Sequence, residues 1–481
     1  VRQNDFNAIG GFDEVFNPGY YEEADLCFRL KQNGLGTLMD PLIYAYHYEY
    51  ASFSKGRPEM SSFALMARNK KIFRERHIQK LSNRPSHNSA EGKKNLRQSF
   101  VGKSLNIAIL EDVIPDCRIG SGFVRTTDLI DSLLKKGHRI TIFANDYMAK
   151  VNEDIWRQKG VEVVKLFRTN SSASPLSGRE WDFDLLWVCR THNILTWSKH
   201  LQSARQLNPN IKFIIDTEAV VTLRKISHAK LQDQMLVQDR IEMLKSELSI
   251  DTLLVPSVII AVNELDRSFI NELQISKSMI LGHKMPVRSN PAGIENRKDL
   301  FFCGSIHAKE SPNYDSLEWF INEVWPHIQK ALPNTKFNIV GHCAEKVSLS
   351  ELINGAQGIS YLGRVDDLKE FMDNSRAFVA PTRFAGGIPH KVHEAMANGL
   401  PVIATDLLRS QLVEHGETVD NVPILSSDSN NPKKFAAACC DALRDDDLWE
   451  NLQSDALNFI ERTASDVIFE ANLQKILDSI Q

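Results

Sequence analysis

The sequence predicts an α/β protein made of two Rossmann-like domains that face a cleft, with a small extra segment at the N-terminus. First, short apolar runs such as 106–110 and 139–143 alternate with amphipathic helical segments, which is typical of a parallel sheet with helical crossovers. Second, the same pattern starts again at 299–304. Third, several runs end in glycine or a polar residue, where open parallel sheets place their ligands.

Length and composition indicate a multidomain globular protein. The 481 residues suggest about three domains. Hydrophobic content of 42% and charged content of 25% are ordinary, and the net charge of -4 argues against nucleic-acid binding. The seven scattered cysteines show no CxxC or Cys/His ligand spacing, which favours a reducing, cytoplasmic location. No apolar run is long enough to cross a bilayer. Because the chain begins with Val1 inside a motif, we expect a fragment of a longer protein.

The first segment, residues 1–67, carries an acidic helix start. Glu22, Glu23 and Asp25 crowd the first turn of a helix that should end near Gly34. The carboxylates can simply complement the helix dipole, or they can form a catalytic base or a metal site. A tyrosine-rich strand follows Pro41, and His47 faces opposite to the tyrosines.

The order GGFDE, YEEADLCFRL, proline and histidine resembles the C-terminal third of a family 2, GT-A glycosyltransferase. The resemblance implies that Glu22 and Glu23 match the acidic pair that supplies the acceptor base, and that His47 helps to hold metal and diphosphate. The nucleotide-binding half of that fold is missing. We therefore interpret the segment as a partial GT-A domain that is inactive as it stands, with Mn or Mg needed only if that domain is completed.

The connector, residues 68–103, is strongly basic. It holds eleven Lys or Arg and two Asp or Glu residues. Its first part joins a helical apolar pattern over 63–81, and its second part reads as a flexible linker. A basic amphipathic helix can lie on the inner face of an anionic membrane, or it can pack on the preceding segment with its basic face in water.

The first half, residues 104–285, begins with a strand, a loop containing Gly120 and Gly122, and a helix near Val124 with Arg125 in its first turn. Such a loop is a weak phosphate-binding signal. Later strands end at polar residues that we take as cleft candidates, with helix capping or loop hydrogen bonding as the alternative. These candidates are His192, Asp216 and Glu218.

The second half, residues 286–481, contains the stretch that organises the chain, PTRFAGGIPHKVHEAMANGLPVIAT at 381–405. It predicts a strand, the Gly386–Gly387 loop, a helix from about Pro389 to Asn398, and another strand. Adjacent glycines let backbone approach a ligand, and a helix N-terminus attracts phosphate. Lys391 and Glu394 share a helix face with His390. The alternative is a tight turn with a surface Lys–Glu pair.

This stretch resembles the donor site of GT-B glycosyltransferases, most closely family 4. The resemblance implies that Glu394 holds the nucleotide ribose, and that Lys391 and Gly387 act on the departing diphosphate. The family often has a Glu-x7-Glu pair, whose first member would fall at Gly386 and is absent here. The linked motifs cover both halves and imply that the Gly120–Gly122 loop faces the diphosphate. The full set of donor-side candidates is Gly120, Gly122, Arg125, Gly304, His307, Lys309, Arg364, Val365, Arg383, Gly386, Ile388 and His390.

The resemblance implies a retaining transfer without a metal cofactor. It also implies a UDP-, GDP- or dTDP-linked donor and a glycan or lipid-linked acceptor, in bacterial surface polysaccharide synthesis. Two alternatives remain open. One is a sugar-nucleotide epimerase on the same architecture, which needs further carboxylates and histidines in the cleft. The other is a non-catalytic sugar-nucleotide or glycan-binding module, which the missing glutamate favours.

Overall fold

The computed structural model describes residues 2–35, 61–82, 104–117, 121–144, 153–165, 175–176, 178–180, 182–233, 239–249, 255–345, 347–365, 367–414 and 416–480. Contacts divide the chain into two units. The first comprises 1–103 with 154–161, and the second comprises 104–153 with 162–481. His47, the tyrosine-rich strand and Gly120 lie outside the described residues.

The helices are α1 (Gln3–Ala8), α2 (Glu22–Gln32), α3 (Ser62–Arg76), α4 (Ile78–Leu81), α5 (Ser121–Lys135), α6 (Asp154–Gln158), α7 (Thr191–Leu207), α8 (Val221–Leu231), α9 (Arg240–Glu247), α10 (Glu264–Asn271), α11 (Pro312–Trp319), α12 (Trp325–Ala331), α13 (Leu349–Ile353), α14 (Lys369–Asn374), α15 (His390–Ala397), α16 (Asp406–Gln411), α17 (Pro432–Arg444), α18 (Asp446–Thr463) and α19 (Asp466–Asp478). A π-helical turn, Phe320–Val324, joins α11 to α12, and 3-10 turns occur at Glu14–Phe16 and Val419–Asn421. Across the described ranges, no helix is both long and apolar enough to span a membrane.

The strands are β1 (Asn106–Glu111), β2 (Arg139–Ala144), β3 (Glu162–Lys165), β4 (Leu185–Cys189), β5 (Lys212–Asp216), β6 (Val258–Ala261), β7 (Ser278–Ile280), β8 (Lys298–Cys303), β9 (Phe337–Val340), β10 (Ile359–Tyr361), β11 (Ser375–Ala380), β12 (Val402–Thr405) and β13 (Leu425–Ser427). They form a seven-stranded sheet of order β3-β2-β1-β4-β5-β6-β7 and a six-stranded sheet of order β10-β9-β8-β11-β12-β13.

Both sheets are parallel and doubly wound, as the sequence predicts. In the first sheet, β1 pairs with β2 and β4, and in the second sheet β8 pairs with β9 and β11. The central strands β1, β4 and β11 are mainly apolar and are buried along almost their whole length. This is expected when helices cover both faces of a sheet. The predicted α/β fold with two Rossmann-like domains is therefore confirmed.

The C-terminal helices connect the two halves. The backbone N–H of Met285, in the crossover between the sheets, donates to the carbonyl of Ala464 at 2.7 Å. Lys136, which follows α5, pairs with Glu470 of α19 at 3.2 Å. The chain thus returns from the second sheet to the first half, as the resemblance to GT-B proteins implies.

The N-terminal unit is organised by the carboxylate of Asp25, which is fully buried. It accepts hydrogen bonds from Arg29 at 2.6 Å and Arg76 at 3.1 Å, and it contacts His77 at 2.9 Å. Burial alone would raise its pKa, but these partners lower it. Asp25 therefore joins α2 to α3, and its assignment as a catalytic or metal-site residue stays a prediction.

The two neighbouring glutamates differ from each other. Glu23 is exposed, whereas burial raises the pKa of Glu22. One carboxylate oxygen of Glu22 is buried without a hydrogen-bond partner in the part of the chain that the structure describes. Their assignment as a base stays a prediction.

Candidate active site

The Gly386–Gly387 loop connects β11 to α15 and approaches the first half of the chain closely. Gly387 has a φ of 77°, and a Cβ on it would lie 2.8 Å from the carbonyl oxygen of Glu218. A Cβ on Gly386 would lie 3.0 Å from the carbonyl oxygen of Val220. The side-chain amide of Asn263 donates to the carbonyl of Gly387 at 3.2 Å. Only residues without side chains allow this approach, which closes the cleft between the two sheets at this point.

A cavity of about 680 Å³ lies at the carboxyl ends of β8, β9 and β11 and at the N-terminus of α15. This volume falls in the usual range of roughly 300–1,000 Å³ for small-molecule sites. No side chain caps the N-terminus of α15, and Pro389 precedes its first residue. The predicted residues that line the cavity are Gly304, His307, Arg364, Val365, Ile388, His390 and Lys391.

Glycines shape the wall of this larger cavity where β8 and β9 end. A Cβ on Gly341 would lie 2.1 Å from the carbonyl oxygen of Gly304, and a Cβ on Gly304 would meet Asn313 at 2.9 Å. The two strand ends therefore touch at backbone level. Positively charged Arg364 and Lys391 line the cavity, and no carboxylate does so among the described residues. The wall therefore suits an anion.

Three polar side chains of α15 form one cluster, as the helical spacing predicts. Lys391 Nζ donates to Glu394 at 2.7 Å, and His390 Nδ1 lies 3.9 Å from the same carboxylate. Burial lowers the pKa of His390 to about 4, although Glu394 opposes this shift. His390 is therefore neutral near pH 7. Glu394 does not line this cavity, and its carboxylate accepts a hydrogen bond from Lys391.

A second, smaller cavity of about 280 Å³ adjoins the larger one and shares Ile388 and His390 with it. Both halves of the chain contribute to its wall. The second half supplies Gly386 and Gly387, and the first half supplies strand-end residues. The predicted residues on the wall from the first half are Gly122, His192 and Glu218.

Arg190 lies at the centre of the polar wall of this smaller cavity. Its Nε donates to Glu218 at 2.5 Å and its Nη1 to Asp112 at 3.1 Å, and its guanidinium lies 3.8 Å from the Phe123 ring centroid. His192 contacts Asp112 at 3.0 Å. Burial would raise the pKa of Asp112, but the hydrogen bond to His192 and the charge of Arg190 hold it well below its usual range.

Two of the predicted side chains are buried elsewhere. Arg125 is 3% exposed, and its guanidinium donates to Asp216 at 2.9 Å and to the carbonyls of Leu281 and Gly282. Asp216 is 1% exposed and also accepts from the indole of Trp187 at 3.1 Å. Neither residue lines a cavity described above. Each side chain satisfies the other's charge, so burial disfavours the assignments of Arg125 to the donor and of Asp216 to the cleft, which stay predictions.

Two further donor candidates also lie off both cavity walls. Arg383 forms a two-pronged ion pair with Asp315, with Nε at 2.9 Å from the carboxylate. Lys309 is exposed in the loop after β8 and lines neither cavity. Arg383 would have to leave Asp315 to reach a ligand in the larger cavity, and the roles of both side chains in donor binding stay predictions.

Several residues in and beneath the cleft were not among the sequence-derived candidates. Asp112 follows β1, so the strand-end rule that selected His192 could have found it. The His283 ring packs against the rings of His390 and His393, with centroid distances of 5.1 and 5.7 Å, respectively. Buried Glu414 lies 3.8 Å from His393. His390 and His393 share α15, but no sequence pattern signals the group, because His283 and Glu414 come from other parts of the chain.

Comparison with known proteins identifies a family match in the second half of the chain. Residues 297–445 match the family model described as "Glycosyl transferases group 1". An uncharacterized glycosyltransferase of Haemophilus influenzae is 30% identical over 103 residues, which are 20% of this chain and 29% of that protein. The chain thus aligns with less than a third of the length of the curated relatives that it matches.

Solved structures show the same architecture. Anabaena Alr3699/HepE in complex with UDP superposes with a TM-score of 0.58 at 14% identity, covering 78% of this chain and all of that chain. The lipopolysaccharide outer core galactosyltransferase WaaB superposes with a TM-score of 0.53 at 12% identity, covering 78% of this chain and 100% of that one. The chain therefore has the GT-B-like fold of glycosyltransferases, and its second half carries the match to the group 1 family.

Proposed function

We propose that this chain is a retaining, metal-independent glycosyltransferase of the family 4 type. It transfers a sugar from a nucleotide-sugar donor to a glycan or lipid-linked acceptor in surface polysaccharide synthesis. The observation that carries the proposal is the larger cavity. There the ends of three parallel strands and the N-terminus of α15 converge on a wall that bears Arg364 and Lys391 and no described carboxylate. A diphosphate fits this chemistry.

The chemical step requires stabilisation of the departing diphosphate. The first N–H groups of a helix have no partner within the helix, and no side chain caps α15. These N–H groups can meet the developing negative charge without reorganising, and the Lys391 ammonium can add to them once it leaves Glu394. This supply of positive charge supports a mechanism in which the protein itself neutralises the leaving group. Lys391 would exchange Glu394 for phosphate, which frees the Glu394 carboxylate for the ribose hydroxyls.

The acceptor and the biological setting rest on similarity. HepE is named in complex with UDP, and WaaB is named as a lipopolysaccharide outer core galactosyltransferase. We propose a UDP-, GDP- or dTDP-linked donor and an envelope glycan acceptor by analogy. The basic helix α3 carries Lys70, Lys71 and Arg74 on exposed positions. We propose that this helix binds an anionic membrane from the cytoplasmic side.

Nucleotide binding tests the donor site. We would measure thermal shifts with UDP-, GDP- and dTDP-sugars and compare Lys391→Ala with Lys433→Ala, an exposed lysine in the first turn of α17. Ligand that binds only the folded chain raises the melting temperature. One nucleotide series should stabilise the wild type and the Lys433→Ala variant. Lys391→Ala should bind about 10- to 100-fold more weakly, because a charge-assisted phosphate contact contributes roughly 1.5–3 kcal/mol. Equal affinity in all three proteins would contradict the proposed role of Lys391.

Transfer assays separate the proposal from its main rival. A sugar-nucleotide epimerase needs acidic groups and histidines near the sugar, and Glu218 and His390 do line one cavity. An epimerase converts the donor without any acceptor, whereas a transferase needs the acceptor to form product. Donor isomerisation by the chain alone would replace the transferase proposal with the epimerase.

A further inference from the structure

A buried side-chain amide ties the first half of the chain to the Gly386–Gly387 loop of the second half. Asn263 directly precedes α10 and is fully buried, and its Nδ2 donates to the carbonyl oxygen of Gly387 at 3.2 Å. Its Oδ1 accepts the backbone N–H of Asp266 at 2.8 Å, which caps α10. A peptide N–H needs an acceptor and a peptide carbonyl needs a donor, so both ends of the amide are used and its orientation is fixed.

The first turn of α10 makes two more contacts at the boundary between the halves. The buried carboxylate of Asp266 accepts the backbone N–H of Val220 at 3.2 Å. The carbonyl oxygen of Val220 lies only 3.0 Å from the place of a Cβ on Gly386. The backbone N–H of Glu264 donates to the carbonyl of Val413, in the second half, at 2.9 Å. One helical turn of the first half therefore positions the neighbouring loop.

Holding a carbonyl also sets the direction of the next N–H. In a planar trans peptide, the C=O and the following N–H point in opposite directions. The hydrogen bond from Asn263 therefore turns the N–H of Ile388 away from α10, and Ile388 lines both cavities. The carbonyl of Ala385 is held in the same way by the buried amide of Gln411, at 3.1 Å. Two buried amides thus fix the peptides that flank the two glycines.

We propose that Asn263 is a positioning residue of the nucleotide-sugar site, which holds the Gly387–Ile388 peptide with its N–H toward the diphosphate. This inference rests on the proposed function. Glycine has little preference for one backbone conformation, so this peptide would adopt other orientations without the hydrogen bond. Asn263 lines neither cavity, so it acts through the loop backbone and not through a contact with the ligand. Because the amide and the loop belong to different halves, the peptide is held only while the halves are in contact.

Two substitutions separate this role from helix capping. Aspartate and serine both serve well as N-caps, so Asn263→Asp and Asn263→Ser keep a partner for the Asp266 N–H. Neither replaces the donor to Gly387, because an ionised carboxylate has no hydrogen and the single oxygen of serine takes the capping position. Isothermal calorimetry measures the affinity for the nucleoside diphosphate of the series that the thermal panel selects. At about pH 8, both variants should bind it about 10-fold more weakly than wild type, which is the order of one lost hydrogen bond.

Acidification gives a readout that a loss of packing would not give. Burial should raise the pKa of the aspartate in Asn263→Asp, and its protonated carboxyl can donate to the Gly387 carbonyl while its other oxygen accepts the Asp266 N–H. The affinity of this variant relative to wild type should therefore recover at about pH 5.5, whereas that of Asn263→Ser should not. Comparison with wild type at each pH removes the titration that the proteins share, including that of the diphosphate and of Asp266, whose pKa burial raises to about 7.

The matched control is Asn431→Asp. Asn431 is exposed, lines neither cavity and caps α17 by accepting the Lys434 N–H at 3.1 Å, so its substitution should leave the affinity unchanged at both pH values. Circular dichroism at each pH checks that the variants are folded. If Asn263→Asp does not fold, Asn263→Ser decides by itself, because it introduces no charge.

Three results would count against the proposals. Wild-type affinity in Asn263→Ser, or a folded Asn263→Asp variant that is weakened equally at both pH values, would overturn the inference while the proposed function stands. A wild-type chain that binds no nucleoside diphosphate would instead refute the proposed function, and the inference would fall with it.

Discussion

Replacing Arg125 by methionine tests whether this arginine is structural, as its contacts indicate. Arg125 and Asp216 are 3% and 1% exposed as a pair. With methionine in its place, the Asp216 carboxylate would lose its cation and keep only the hydrogen bond from the Trp187 indole. The carbonyls of Leu281 and Gly282 would lose their hydrogen-bond donor. Removing one partner of a buried pair costs about 3–5 kcal/mol.

The expected change in melting temperature follows from this free energy. A domain of this size loses about 2–4 °C per kcal/mol, so Arg125→Met should melt roughly 6–20 °C below wild type. Thermal denaturation followed by circular dichroism measures the shift. The matched control is Arg383→Met, since Arg383 also pairs with an aspartate but is 25% exposed, and its partner Asp315 is 19% exposed. Removing that pair should cost about 1 kcal/mol or less.

One result would refute this reasoning. If Arg125→Met melted like wild type but lost affinity for the nucleotide donor, the arginine would be a donor contact and not a structural anchor. Similar large shifts for both variants would show that the difference in exposure does not govern the cost. Only a large shift confined to Arg125→Met agrees with the structure.

Two further changes probe the cleft. Gly387→Ala should lower both stability and donor affinity. The alanine would have to adopt a φ of 77°, and its Cβ would lie 2.8 Å from the carbonyl oxygen of Glu218. The control is Gly355→Ala, since Gly355 has a φ of 79° but no atom lies within 4 Å of an added Cβ. This variant should lose only the roughly 1–2 kcal/mol that a left-handed backbone conformation costs alanine. Equal effects of both glycine variants would contradict close packing of the loop. Burial lowers the pKa of His393 to about 3, below its unfolded value. Protonation of this histidine therefore favours the unfolded chain as the pH falls below about 6.5. Between about pH 7 and pH 5, the free energy of unfolding of wild type should fall by about 2 kcal/mol more than that of His393→Asn. If the melting temperatures of wild type and His393→Asn changed with pH in the same way, this expectation would be contradicted.

Local patterns predicted most of the fold. The strand predicted at 106–110 is observed at 106–111, and the helix predicted from about Pro389 to Asn398 is α15 at 390–397. Apolar periodicity and glycine positions are local properties, so they place elements to within a few residues. Lys391, Glu394 and His390 cluster because one helix carries all three. The main boundary error was α5, which begins at Ser121 and not near Val124.

The partners of charged side chains were decided by the tertiary structure. Arg125 carried the expected signal, a basic residue in the first turn after a glycine loop, yet it is buried against Asp216 from β5. Arg190 follows β4, and its partners Asp112 and Glu218 follow β1 and β5. These strands are adjacent in the sheet although they are far apart in the sequence. The sequence by itself determined the two α/β halves and the cluster on α15, because periodicity acts over a few residues. Only the order of strands determined which arginine was buried and which one faced the cleft, because an ion pair depends on distances that residue spacing does not contain.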